Sequence, residues 1–273
     1  MTFGSRTVCA ALLLAACVIC APLMAGNPAP AGAAPVELFS AIEQEQIDVK
    51  LIPKDSTLCR VLIENKTDQP LTVKLPEAFA GVPILKQGLG GGLGGMGGGL
   101  GGMGGGLGGG SSYGSGSSYG GGTQSFGGGM GGGGGGGMGG YGGGFMNVPA
   151  EGVGKLQITT VCLEHGKSEP RAAVPYQIKP IGQVTEKKEV HELCKMLGYQ
   201  RLPQRVAQAA AWHLGNDMSW QELAAKELRF ATGVRRPYFS PMEIQAAIQA
   251  ATVAAKAAEE QQKSAETDSL SSR

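Results

Sequence analysis

Leu58–Leu75 reads LCRVLIENKTDQPLTVKL, and the fold turns on its two runs of alternating residues. Cys59, Val61 and Ile63 share one face of the first run, with Arg60 and Glu64 on the other. Leu71, Val73 and Leu75 share a face of the second. A period of two marks a half-buried strand, because successive side chains of extended backbone point to opposite faces. Between the runs, Asn65-Lys66-Thr67-Asp68 supplies turn-forming residues, so the stretch predicts a hairpin. Upstream, Ile47, Val49 and Leu51 alternate with Asp48 and Lys50. Downstream come Val82–Leu85, then Leu156, Ile158, Thr160 and Cys162, then Tyr176, Ile178 and Pro180. Six or so short strands separated by turns predict a small antiparallel β-sandwich.

Beyond Gly182 the chemistry turns helical. Thr185–Leu197 is the first helix, and Pro203 opens a second through QRVAQAAAWHL, which Gly215-Asn216-Asp217 ends. Ser219-Trp220-Gln221-Glu222 and Ser240-Pro241-Met242-Glu243 are capping boxes, each with a hydroxyl and a carboxylate placed to satisfy the first helical amides. The last helix is expected to run from Pro241 to about Gln262. The expected fold class is therefore α+β: a small antiparallel β-sandwich interrupted by a disordered Gly-rich loop, then a C-terminal bundle of about four helices. The expected boundaries are a signal peptide over 1–25, sandwich parts over 26–86 and 147–184, a low-complexity insert over 87–146, a helical domain over 185–262 and a disordered tail over 263–273.

The insert is extreme in composition. Of the chain's 48 glycines, 37 fall within Gly88–Gly144, which has no charged side chain. Leu93, Leu100 and Leu107 recur at heptad spacing, but each glycine costs a helix about 1 kcal/mol relative to alanine, so no coiled coil forms. As a flexible coil such a block spans roughly 40 Å. Closing it rather than a short loop costs only about 2 kcal/mol. On that reading it can be excised with the domains still folded, and its Tyr, Phe, Leu and Met side chains make it either a tolerated expansion or a sticky tether.

Arg6 precedes the apolar run Val8–Ala21, which Pro22 closes; this is the length of a signal-peptide core and too short to cross a bilayer. Cleavage after Ala25 predicts a mature chain beginning near Gly26. Leu14-Ala15-Ala16-Cys17 offers the alternative of lipid attachment at Cys17. The expected location is periplasmic, cell-envelope or extracellular, with no transmembrane helix in the mature chain. Lys and Arg total 23 against 22 Asp and Glu, and removing the leader removes Arg6 alone, which leaves no net charge. That balance argues against a dedicated nucleic-acid binder, which needs a surplus of cations. The expected partner is an unspecified protein or envelope component.

Three cysteines, Cys59, Cys162 and Cys194, lie beyond the leader. Cys59 and Cys162 share parity with the core-facing residues of their strands, so an exported chain is expected to bridge them. Against this stands a zinc site: Cys162 and His165, then His191 and Cys194, each have the two-residue gap of metal ligands. Cys162 cannot serve both. No catalytic residue is assigned, since no metalloprotease helix, nucleophile elbow or Ser/His/acid set is present. Asn65-Lys66-Thr67 is a formal glycosylation sequon.

Three segments, VLIENKTDQPLTVKLPEAFAGVP, TTVCLEHGKSEPRAAVPYQIKPI and AQAAAWHLGNDMSWQELAAK, resemble uncharacterised exported proteins of planctomycete-type bacteria that also carry a glycine-rich insert. The resemblance implies export from a bacterial cell and sets the sequon aside; it brings no activity, cofactor or site residue. The expected function is a non-enzymatic secreted or envelope-associated interaction module. The alternatives are a metal-binding protein or metalloenzyme using the Cys/His set, and a lipoprotein anchored at Cys17.

Overall fold

The computed structural model describes residues 34–84, 123–131 and 144–271. The strands are β1 (Val36–Glu37), β2 (Ile47–Pro53), β3 (Leu58–Asn65), β4 (Leu71–Lys74), β5 (Phe79–Pro83), β6 (Phe126–Gly128), β7 (Phe145–Val148), β8 (Val153–Cys162), β9 (Tyr176–Pro180), β10 (Glu227–Arg229) and β11 (Arg235–Pro237). The helices are α1 (Leu38–Glu43), α2 (Lys188–Gly198), α3 (Gln204–Asn216), α4 (Trp220–Ala225) and α5 (Pro241–Ser271).

The expected sandwich is not formed. Six strands close into a barrel in the order β2-β3-β8-β6-β5-β9, every neighbour antiparallel, and the ring shuts where Leu51 pairs with Tyr176. The alternation of β3 is real: Cys59, Val61 and Ile63 are fully buried in the barrel core with Leu51, Phe79, Phe126, Ile158, Tyr176 and Ile178. Alternation states only that one face is buried. A sandwich and a small barrel filled by its own side chains satisfy it equally. Nor do the first two predicted runs pair with each other. β3 pairs with β2 and β8, while β4 joins a separate sheet in the order β1-β4-β7. That sheet shares the barrel core through Val73, Met146 and Val148.

The sequon asparagine explains the divergence. Asn65 is 1 % exposed; its Oδ1 accepts from the Thr67 amide (2.9 Å) and hydroxyl (2.8 Å), while its Nδ2 donates to the carbonyls of Gln69 (2.7 Å) and Pro149 (3.0 Å). It ties the turn to β7 and sends β4 away from β3. A glycan has no access to this side chain.

The barrel is closed by a strand from within the glycine-rich stretch. β6 lies between β5 and β8, with Phe126 opposite Gly81 and Cys162. Phe126 is fully buried, 5.1 Å from the Tyr176 ring and 6.5 Å from that of Phe79. Its neighbouring glycines let the helices approach. A Cβ on Gly129 would sit 2.2 Å from the Glu77 carbonyl oxygen, and one on Gly198 would sit 2.6 Å from the Gly129 backbone. Backbone meets backbone there, so no side chain can move aside. The insert is thus not only a loop.

Helices α2, α3 and α5 pack on one another, with α2 and α3 against β8 and α2 also against β6. Their core joins Val161, Leu163 and Ala80 of the barrel to Val190, Leu193, Cys194 and Leu197, and to alanines of α3 and α5. Small side chains at that contact bring the helix axes close. All described residues fall within one compact unit, Ala33–Arg273, so strands and helices are not separate domains. Both capping boxes form, at Ser219/Glu222 and Ser240/Glu243. Pro203 is the N-cap of α3 rather than its first residue, and α5 continues through the expected tail as far as Ser271. Helix α1 and the β10–β11 hairpin were not anticipated.

Candidate functional site

The structure does not bring the proposed ligands or the proposed bridge together. Cys59 pairs with Ile158 across β3 and β8, which places Cys162 four residues further along, roughly 13 Å at strand rise. A disulfide needs Cα atoms about 4.4–6.8 Å apart. All three cysteines are free and buried, Cys59 in the barrel core and Cys162 and Cys194 in the helix-side core. Burial lifts the thiols of Cys59 and Cys194 to about 12, and burial with Glu169 nearby raises that of Cys162 further. These are packing residues with the thiol protonated, not nucleophiles. His191 Nε2 lies 2.7 Å from the Thr185 carbonyl oxygen, and the His165 ring packs edge-on against Trp212, 4.8 Å between centroids. Among the described residues no group of three or more His, Cys, Asp or Glu is placed to hold a metal. Cys17 lies outside the described residues.

A measurement follows directly. Denatured without reductant, the chain should show Cys59, Cys162 and Cys194 all alkylatable, and none of the three should react in the native chain. A single alkylated cysteine after denaturation would restore the bridge.

The arrangement that does converge was missed in the sequence. Lys226 follows α4 and opens the β10–β11 hairpin. Its Nζ lies 2.8 Å from His165 Nε2 and sits over the rings of Trp212 (5.2 Å) and Tyr238 (5.5 Å). Trp212 in turn contacts the His165, Tyr238 and Phe239 rings. The ammonium donates to a neutral imidazole and rests on two aromatic faces, an arrangement that holds a cation firmly. Burial, then the Lys226 charge, push the His165 imidazole below its ordinary value of 6.5, and burial lowers Lys226 as well. The box joins the loop after β8 to α3 and to the base of the hairpin. Its signal in the sequence was present but dispersed over residues 165, 212, 226 and 238.

Sign follows from the direction of the shift. A folded His165 that resists protonation stabilises the fold above the unfolded value near 6.5, and that contribution is lost as pH falls through the folded value. Urea midpoints measured against pH should therefore decline on the acid side of 6.5 in the wild type, with that component missing in His165→Asn. Parallel curves would show that the imidazole carries no such linkage.

From this base the hairpin runs outward. Backbone pairing extends from Tyr238 N on Lys226 O (2.7 Å), through the register Glu227–Pro237, Leu228–Arg236 and Arg229–Arg235, to Phe230 N on Val234 O (2.9 Å). Gly233, at φ +81°, turns the tip. Arg229 through Pro237 are all exposed, including Phe230 at 37 % and Val234 at 49 %. Residues 226–238 contain four cations, Lys226, Arg229, Arg235 and Arg236, and one carboxylate, Glu227, which pairs with Arg235 at 3.5 Å. Comparison with protein-family models, with curated proteins and with solved structures finds no match.

Proposed function

We propose that the chain is a non-enzymatic secreted or envelope-associated interaction module whose docking element is the Lys226–Tyr238 hairpin. The observation that carries this reading is an exposed, strongly cationic ribbon fixed at its base by the Lys226 box. Neither strand of the ribbon contributes to the barrel, and its exposed Arg and Phe side chains serve no core. Residues of that kind, on an element held rigidly at one end, suit recognition rather than stability. The leader read over residues 1–25 and the resemblance to exported planctomycete-type proteins support placement outside the cytoplasm.

Fractionation of the native cell with intact-mass measurement tests the reading. The chain should be recovered from the envelope, periplasm or medium, beginning near Gly26. A diacylated Cys17 at the start would replace soluble export by lipid anchoring. Recovery of the uncleaved chain from the cytoplasm would overturn the proposal.

A further inference from the structure

We infer that the partner of the hairpin is the surface of an anionic lipid bilayer, with Phe230 and Val234 entering the interface and Arg229, Arg235 and Arg236 meeting headgroup phosphates. This deepens the proposed function and rests on it.

Three features of the ribbon point the same way. First, charge: residues 226–238 carry four cations and one carboxylate, a surplus of three on a chain whose leader-free remainder is balanced. Such clusters are drawn to anionic headgroups. Second, the cross-strand register sets Arg229 directly opposite Arg235. Like charges facing one another destabilise a two-stranded ribbon, and Glu227 at 3.5 Å offsets only Arg235. An external row of anions relieves that repulsion. Third, the tip is apolar where a solvated turn is polar. Phe230 and Val234 close the ladder beside Ala231-Thr232-Gly233, exposed, with Arg236 over the Phe230 ring at 5.9 Å.

By alternation, Leu228, Phe230, Val234 and Arg236 share one face, and Glu227, Arg229, Arg235 and Pro237 the other. An aromatic and an aliphatic tip behind a collar of guanidinium groups matches the bilayer boundary, where the ring leaves water while the cations stay at headgroup depth. A soluble polyanion offers the cations partners but gives the exposed tip nothing to enter. No helix among the described residues is long and apolar enough to span a membrane, so contact would be made at the surface through this element.

The test is co-sedimentation of the full exported chain with vesicles of equal parts phosphatidylglycerol and phosphatidylcholine, beside vesicles of phosphatidylcholine alone. The chain should sediment with the first and not the second, and high salt should release it. Each surface cation strengthens partitioning about fivefold, so the double variant Arg229→Gln/Arg235→Gln should bind roughly 25-fold more weakly. Its unfolding midpoint should stay at or above wild type, because an opposed like-charge pair has been removed. Phe230→Ser, which leaves every charge in place, should also weaken binding. Absence of sedimentation, equal sedimentation on both vesicle types, variants that bind as wild type, or binding to soluble polyphosphate without binding to vesicles would overturn the inference. Cell fractionation reads the proposed function separately: recovery from the envelope or medium with no vesicle binding removes only the lipid partner.

Discussion

A chain lacking Gly88–Gly144, with Gln87 joined to Phe145, should have no cooperative unfolding transition. The deletion takes out β6, and with it the strand between β5 and β8. Loss of a buried phenylalanine such as Phe126 costs about 3–5 kcal/mol. The ladder groups of β5 and β8 that faced β6 are left without partners, at about 1–3 kcal/mol for each one still buried. Tyr176 also loses its 3.0 Å hydrogen bond to the Gln124 carbonyl, and Glu164 its 2.8 Å bond from the Ser125 amide. Together these match or exceed the whole stability of an ordinary domain, about 5–15 kcal/mol. The expectation that the block could be removed whole is thereby reversed.

Smaller excisions should behave oppositely, and the register shows why. Extending the β5–β6 pairing from Gly81–Phe126 brings Ile84 opposite Thr123, so a hairpin turn of a few residues can replace 85–122. Gly131 and Gly144 are likewise neighbours, with the Gly131 carbonyl oxygen 4.0 Å from the position of a Cβ on Gly144. Replacing 85–122 and 132–143 by short turns keeps Thr123–Gly131 and shortens two loops, a gain of up to about 2 kcal/mol for the longer one. Circular dichroism through a urea titration separates the variants. A full-block deletion that unfolds at the wild-type midpoint would show that β6 contributes nothing to closure.

This contrast also shows how far the fold could be read from the residues. The alternation of Cys59, Val61 and Ile63 and the reach of Ser219 to Glu222 are local patterns, and both hold in three dimensions. Barrel closure is not local. It depends on one large side chain, Phe126, in a run whose glycines argue against a strand by propensity. Those glycines answer to a different requirement, the approach of α2 to the backbone immediately after β6, where Gly129 meets Gly198. The candidate site was hidden for a related reason. His165, Trp212, Lys226 and Tyr238 are distant in sequence, whereas the Cys/His spacing that drew attention is regular but leads to cysteines buried in packed cores and histidines with other partners. Shared parity on paired strands was mistaken for proximity, though the register separates Cys59 and Cys162 by four residues along β8.

Gln208→Leu should destabilise the chain by about 2–5 kcal/mol, because one side chain serves two buried backbone groups. Strand β3 begins at Leu58, so beyond Thr160, whose amide still reaches the Thr57 carbonyl at 2.9 Å, that edge of β8 has no strand beside it. Helix α3 takes the strand's place with its side-chain amides. Gln208 is 3 % exposed; its Oε1 accepts from the Cys162 amide at 2.8 Å, and its Nε2 donates to the Cys162 carbonyl at 3.0 Å. Gln204 donates to the Thr160 carbonyl at 3.1 Å, and Asn216 bonds the Leu163 carbonyl at 2.9 Å and the His165 amide at 2.8 Å. Residues 204, 208, 212 and 216 recur every four positions and so form one row along the helix, with Trp212 meeting the Lys226 box. In the sequence these amides resemble a solvated polar face, since nothing local shows that they lie against a strand edge. Leucine fills much of the same volume but leaves the Cys162 amide and carbonyl buried and unpaired. Water replaces a lost bond at half-buried Gln204, so Gln204→Leu should cost under about 1 kcal/mol by the same urea titration. If the two variants lose equal stability, or Gln208→Leu loses none, the helix is held to the barrel by apolar packing alone and the amide row is incidental.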